Sequence, residues 1–290
     1  MTSTEPFSQH KFQTLAQAIQ EVDAIVVGAG AGLSAADGYQ YGGSWFSEHF
    51  GDFATTYGLT DAYSAGFYPF PTLEEKWGFW SRLIYLNRYD QQPGQTYRDL
   101  LSLLADKNYF VVTTNVDHCF QRAGFDKDRL YYMQGDFGLF QCSLPCHQGT
   151  YDNEETIRQM IKQQVGREVP SQLIPSCPRC GAPMDTNLRI DHRFVQDAGW
   201  EEASARYQNF IATHAGGRIL YLELGVGANT PGIIKYPFWR LTEANPQALY
   251  AALGFEAQAP SQIADRSLLI PGDLARSLET LASELPYHRP

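Results

Sequence analysis

Residues 23–34 constrain the fold more than any other stretch. Asp23-Ala24-Ile25-Val26-Val27 is a short apolar run without polar alternation, which predicts a strand buried on both faces. It runs directly into Gly28-Ala29-Gly30-Ala31-Gly32-Leu33-Ser34, where a helix is expected to begin. Strand, glycine turn and helix together form the opening unit of a dinucleotide-binding α/β fold. Glycines at 28, 30 and 32 would let the backbone approach a pyrophosphate, and the helix N-terminus would offer it free N–H groups. The same turn also serves as a plain strand-to-helix connection with no ligand. The pattern departs from G-x-G-x-x-G, and no acidic residue ends a second strand about 20 residues on, as a dehydrogenase requires.

The rest of the chain extends this pattern. Helical periodicity covers 10–22, 73–89, 96–104, 201–213 and 273–285, with a polar helical insert at 153–164. Apolar runs at 109–114, 130–133 and 218–225 predict buried strands, and 248–253 and 267–270 predict two more. Residues 39–70, rich in Gly, Tyr, Phe and Ser, read as a long functional loop. Strands alternating with helices predict a parallel α/β sheet. The expected division is a Rossmann-like domain of residues 1–136 and 215–290, flanked by helices, with a smaller zinc-binding, substrate-facing domain of residues 137–214 inserted in it.

A formal net charge of −10 leaves no surplus of positive charge for phosphate contacts, so a general nucleic-acid binder is not expected. No apolar run has the length of a membrane span, and residues 1–20 lack the apolar core of a signal peptide. The expectation is a soluble cytoplasmic protein.

Four of the five cysteines fall in two close pairs, Cys142-x3-Cys146 and Cys177-x2-Cys180. Two pairs of thiolates suit a tetrahedral zinc ion with no open position, hence a structural site. Free buried cysteines or redox thiols are the alternatives, and His147 is a competing ligand. The fifth, Cys119, reads as a small buried residue, with a nucleophilic role as the other option.

One further segment carries chemistry. Thr113-Thr114-Asn115-Val116-Asp117 follows the second strand, and Gln134-Gly135 follows the third. The order of the motifs resembles the sirtuins: glycine turn with Ser34, N-x-D, x-Gly, four cysteines, a strand ending at Gly225, and Ile270-Pro271-Gly272-Asp273 before a closing helix. The resemblance covers nearly the whole chain. It implies an NAD-binding Rossmann-like domain, a small zinc domain and a cleft between them in which nicotinamide is cleaved from ribose. On this resemblance the NAD-binding positions are Gly28, Ala29, Gly30, Gly32, Ser34, Asp37, Tyr39, Asn115, Asp117, Gln134, Gly225, Gly227, Asn229 and Asn245. Several of them also have a plain structural reading. Asn115 and Asp117 would cap a helix, Asp37 and Tyr39 would be ordinary loop residues, Asn229 would be an N-cap before Pro231, and Asn245 a turn before Pro246.

The departures from the family are informative. Sirtuins have T-Q-N-x-D, and here the glutamine is Thr114. Their catalytic histidine is Gln134. The stretch matching their acyl-lysine strand is His192-Arg193-Phe194-Val195-Gln196-Asp197. This combination resembles the class M sirtuins, microbial ADP-ribosyltransferases associated with macrodomain proteins, which modify a lipoylated glycine-cleavage-H-like carrier.

Glutamine forms hydrogen bonds but takes no proton near neutral pH. Deacylation by this frame therefore lacks its base, whereas transfer to an already ionised carboxylate needs none. Asn115, Asp117 and Gln134 are the expected catalytic set. Asn115 and Asp117 would stabilise positive charge on the ribose, and Gln134 would orient ribose or acceptor. Arg193, with His192, would bind an acceptor carboxylate, or both would be solvated strand residues. The competing functions are a non-catalytic NAD or ADP-ribose sensor, and a deacylase using His118 or His192 as base.

Overall fold

The computed structural model describes residues 5–227 and 231–284. Helix α1 (Glu5–Glu21) leads into β1 (Ala24–Ala29), whose six residues are all buried. After β1 come α2 (Ala31–Ala36), α3 (Gly43–Tyr57), α4 (Ala62–Ala65), α5 (Leu73–Ile84) with a π-helical extension over Tyr85–Asp90, and α6 (Gln95–Leu104). Strand β2 (Tyr109–Thr113) follows, then the short α7 (Cys119–Arg122), β3 (Leu130–Tyr132) and β4 (Gly135–Cys142). The remaining elements are β5 (Thr150–Asp152), α8 (Glu154–Gln163), β6 (Met184–Leu188), α9 (Ala198–His214), β7 (Ile219–Leu224), α10 (Lys235–Ala244), β8 (Leu249–Leu253), β9 (Ser267–Ile270) and α11 (Leu274–Glu284).

The large sheet is wholly parallel, in the order β3-β2-β1-β7-β8-β9. Its central strands carry side chains into cores on both faces, which is why they read as continuous apolar runs. Ile25, Val27 and Val111 pack with α1, α6 and α11 on one face, while Val26, Phe110 and Tyr221 pack with α9 and α10 on the other. The sheet is a Rossmann-like arrangement flanked by helices, as expected. From β1 the chain proceeds to β2 on one side and only later returns to β7 on the other. The topological switch, the usual ligand crevice of such sheets, therefore lies at the C-terminal ends of β1 and β7.

A second, antiparallel sheet has the order β5-β4-β6. Its core is markedly aromatic: Phe46, Phe50 and Phe53 of α3, together with Trp77, Phe79 and Trp80 of α5, pack with Phe137 and Phe140 of β4. The stretch 39–70 expected as a loop is thus largely helical, and it is part of the second core. That core divides the chain differently from an insertion of 137–214. Residues from α3 and α5 belong with the small sheet, whereas α9 packs on β2 and β3 of the large one. Among the described residues no helix is long and apolar enough to cross a membrane.

Candidate active site

The turns after β1 and β7 meet backbone to backbone. A Cβ on Gly30 would lie 2.7 Å from the Gly225 carbonyl oxygen, and one on Gly32 would lie 2.8 Å from Gly225 Cα. Gly225 itself has φ of +60°. Gly30 N–H donates to Leu224 O at 3.0 Å and Gly32 N–H to Gly225 O at 2.9 Å. These two donors are spent within the protein, so the glycines first serve the crossing of two turns and are not a free anion cradle. Gly28 answers to packing as well: a Cβ there would be 2.4 Å from Ile234 and 2.6 Å from Phe238 of α10. Gly227 faces the Glu256 carboxylate at 3.7 Å from an added Cβ. Ala29 is fully buried, and its carbonyl accepts from Thr113 Oγ1 at 3.0 Å.

Beneath the crossing, Ser34 of α2 meets the loop after β2. Ser34 Oγ donates to Asp117 Oδ2 at 2.5 Å, and Asn115 Nδ2 donates to Ser34 Oγ and to Gly30 O, each at 3.0 Å. Since the single Ser34 proton goes to Asp117, the Tyr97 hydroxyl at 2.9 Å must donate to Ser34. Asp117 Oδ1 accepts the Cys119 N–H at 3.0 Å. Ser34 and Asp117 are sealed from solvent, and Asn115 is 9% exposed. Burial raises the Asp117 carboxyl above its usual range, against the opposing pull of the Ser34 and Cys119 hydrogen bonds. Both Asp117 oxygens are engaged, so this carboxylate braces the floor of the crevice. Cys119 is buried beside it, and burial together with the Asp117 charge pushes its thiol pKa up, which suppresses the thiolate a nucleophile needs.

Gln134 lies on the connection from β3 to β4, half-buried, and its carbonyl accepts Arg189 N–H at 2.9 Å. Gly135 beside it has φ of +93°, and a Cβ there would strike Asn187 O at 2.0 Å. Two residues on, the buried Asp136 binds His118 Nδ1 through Oδ2, while its Oδ1 accepts from Arg88 Nε at 3.1 Å and Gly138 N–H at 2.7 Å. Burial favours the neutral acid, but His118, Arg88 and the Gly138 N–H outweigh it and hold the Asp136 carboxyl below the usual range.

Several expected ligand positions have other employment. Asp37 accepts the N–H groups of Gly94 and Thr96 and so caps the start of α6. Tyr39 is buried in the main core, its hydroxyl 3.4 Å from Gln91 O. Asn245 is corrected outright: its Nδ2 donates to Gly217 O at 2.9 Å, at the N-terminal edge of the sheet. A six-residue strand, about 20 Å of backbone, separates that edge from the crevice. Asn229 lies outside the described residues. His192 and Arg193 sit on a turn after β6, not on a strand, because the sheet ends at Leu188. The Arg193 guanidinium is already forked onto Asp191, at 2.9 Å and 2.7 Å.

The four cysteine sulfurs lie within 4.8 Å of one another. Cys142–Cys180 and Cys146–Cys177 are each 3.6 Å apart. Four thiolates at about 2.3 Å from a central zinc would stand about 3.8 Å apart, so the set fits a tetrahedral ion. Despite burial, backbone N–H groups of Arg179 and Cys180 help to hold the Cys177 thiol down at about 6, whereas burial and hydrogen bonds with the neighbouring thiols push Cys146 up to about 12. His147 Nδ1 is 3.1 Å from Cys146 Sγ, and its Nε2 is 2.8 Å from the Tyr151 hydroxyl, beside the cluster but outside it.

The chain matches no family model. It is 40% identical over 270 residues to a protein ADP-ribosyltransferase of Staphylococcus aureus, covering 92% of this chain and 86% of that one. The chain belongs to the sirtuin-fold protein ADP-ribosyltransferases. A second relative, a probable bifunctional ADP-ribose hydrolase/ADP-ribosyltransferase of Fusarium oxysporum f. sp. cubense, is 30% identical over 279 residues. Those cover 91% of this chain but only 46% of that protein, so the match spans about half its length. The fold is shared with solved sirtuins. A Sir2 homologue–NAD complex superimposes with a TM-score of 0.58 at 15% identity, covering 93% of this chain and 92% of that one. Sir2Tm bound to a propionylated peptide gives 0.61 at 16%, covering 94% and 98%. Within this transferase family, the glycine crossing and the Ser34–Asn115–Asp117 cluster are what this chain places at the switch point.

Proposed function

We propose that this chain binds NAD at the crevice between β1 and β7, releases nicotinamide, and transfers ADP-ribose to a protein acceptor. The observation that carries the reading is a divided site. The buried Ser34–Asn115–Asp117 cluster, which in this reading supports the ribose end, is hydrogen-bonded throughout, and Gln134 stands at the position where the sirtuins the sequence resembles carry their histidine. A sensor needs no such braced floor, and a deacylase needs a base at that place. In this reading Asn115 and Gln134 hydrogen-bond the ribose as positive charge develops, and Asp117 keeps Asn115 and Ser34 in register. Gly28, Ala29, Gly30, Gly32, Gly225 and Gly227 shape the crevice wall. The four cysteines hold one structural zinc that clamps the small sheet, with no open coordination position for chemistry.

The acceptor in this reading is a lipoylated glycine-cleavage-H-like carrier in the cytoplasm, with a macrodomain protein as functional associate, as in the class M sirtuins the sequence resembles. The Fusarium relative, named for both ADP-ribose hydrolase and transferase activity, supports an association of addition with removal. The test is incubation with adenylate-labelled NAD and the lipoylated carrier, alongside unlipoylated carrier and an Asn115→Ala enzyme. Label on the lipoylated carrier alone, lost in Asn115→Ala, is the expected result. NAD bound but intact would overturn the transferase reading, and label on both carrier forms would overturn the lipoyl requirement.

A further inference from the structure

His118 is the one described residue other than glycine with a positive φ, at 65°. That conformation strains a side chain with a Cβ, and such positions cluster at functional sites. The residue stands at the C-terminal edge of the large sheet, directly after Asp117 and three residues from Asn115. Its ring is held by the buried Asp136 through Nδ1, and Asp136 is two residues from Gln134. A carboxylate on Nδ1 fixes the tautomer with the proton on that nitrogen and leaves the Nε2 lone pair free. The His118 side chain is 27% exposed, within reach of solvent.

Building on the transferase reading, we propose that His118, oriented by Asp136, is the base for the attacking nucleophile. The acceptor range then extends to groups that carry a proton at neutral pH, hydroxyls and water among them. In the step, the C1′–nicotinamide bond breaks first and leaves positive charge on the ribose, and an oxygen lone pair of the nucleophile then forms the bond to C1′. The electron pair of the broken bond leaves on the nicotinamide nitrogen. The nucleophile's proton passes to Nε2 and then to bulk water. The charged groups around the ring are Asp136 on β4, Arg88 on the π-helical turn, and Asp117 and Arg122 on either side of His118 in the chain. Arg88 Nε donates to the same carboxylate that holds the ring, at 3.1 Å.

The experiment compares the wild type with His118→Gly, since glycine accepts the left-handed backbone and removes only the ring. Two rates are measured on the same enzyme. Exchange of labelled nicotinamide into NAD reports glycosidic-bond cleavage and needs no acceptor proton. Solvolysis in water–methanol, read as ADP-ribose and its methyl glycoside, needs that proton removed. The ratio of solvolysis to exchange is expected to fall on the order of 10²-fold or more in His118→Gly, and free imidazole should restore it. An unchanged ratio, or a wild type that exchanges without solvolysis, overturns the proposal alone. A wild type with no exchange overturns the transferase reading, and the proposal with it. Should His118→Gly fail to fold, His118→Asn, which also tolerates the left-handed region, gives the same comparison.

Discussion

Gly225→Ala should destabilise the protein through a backbone collision that no side-chain adjustment can relieve. The new Cβ would lie 2.6 Å from both Gly32 C and Leu33 N, where contact distances begin near 3.4 Å. The left-handed φ of +60° adds about 1–2 kcal/mol for any residue with a Cβ. Separating the two turns adds about 1–3 kcal/mol, typical of overpacking. Loss of glycine's freedom in the unfolded chain returns about 0.4–1 kcal/mol. A net cost near 3 kcal/mol corresponds to a melting shift of about 6–12 °C for a chain of this size. Gly43→Ala is the control. Its φ is +61°, but no atom lies within 4 Å of the added Cβ, so only the conformational cost remains, about 1 kcal/mol. Differential scanning calorimetry of the two variants separates strain from collision. Equal melting temperatures would refute the argument that the two turns are locked by contact at the crevice.

Lys235, fully buried, pairs with Glu223 Oε1 at 2.5 Å, and Tyr250 donates to the other oxygen at 2.7 Å. Lys235→Met should cost about 3–5 kcal/mol in urea unfolding by stranding the carboxylate, and adding Glu223→Gln should recover part of it. The Asp136 carboxyl is depressed in the folded state, so its contribution is present above the unfolded value of about 3.9 and is lost as pH falls through the folded one. The stability gap between wild type and Asp136→Asn should accordingly shrink on acidification below about pH 4; a gap that widens would contradict the assignment. Purified protein should hold one zinc per chain by metal analysis. Chelation or Cys177→Ser should remove it and lower the melting temperature, whereas retained metal in Cys177→Ser would point to a different ligand set.

The large sheet was legible because central parallel strands are apolar throughout. Ile25-Val26-Val27, Phe110-Val111-Val112 and Ile219-Leu220-Tyr221-Leu222 have no other stable use in a chain of this composition. The small sheet was hidden because β4 carries Gly135, Asp136 and Gly138, residues chosen for close approach and charge, not for strand propensity. Helix α3 was hidden for a related reason. Phe46, Phe50 and Phe53 have helical spacing, but Gly43 and Gly51 obscure it, and Phe50 breaks the helix with φ of −133°. At the site, motif order singled out Ser34, Asn115 and Asp117 one by one, but their mutual hydrogen bonds depend on α2 meeting the loop after β2. Asn245 misled because order along the chain does not say at which edge of a sheet a residue lies. The His118–Asp136 pair depends on the loop after β2 facing the start of strand β4, which no local pattern records.

The strand order also has a bearing on how the chain is made. β1 pairs on one side with β2, but its other neighbour is β7, and Arg218 reaches back to Asp23 across 195 residues. During synthesis, one apolar edge of β1 must wait until most of the polypeptide has emerged. The aromatic body built from α3, α5 and β4–β6 is finished earlier, by Leu188. A nascent chain stalled between those two points would carry a completed small core beside an unpaired edge, the stage most exposed to aggregation and to chaperone capture.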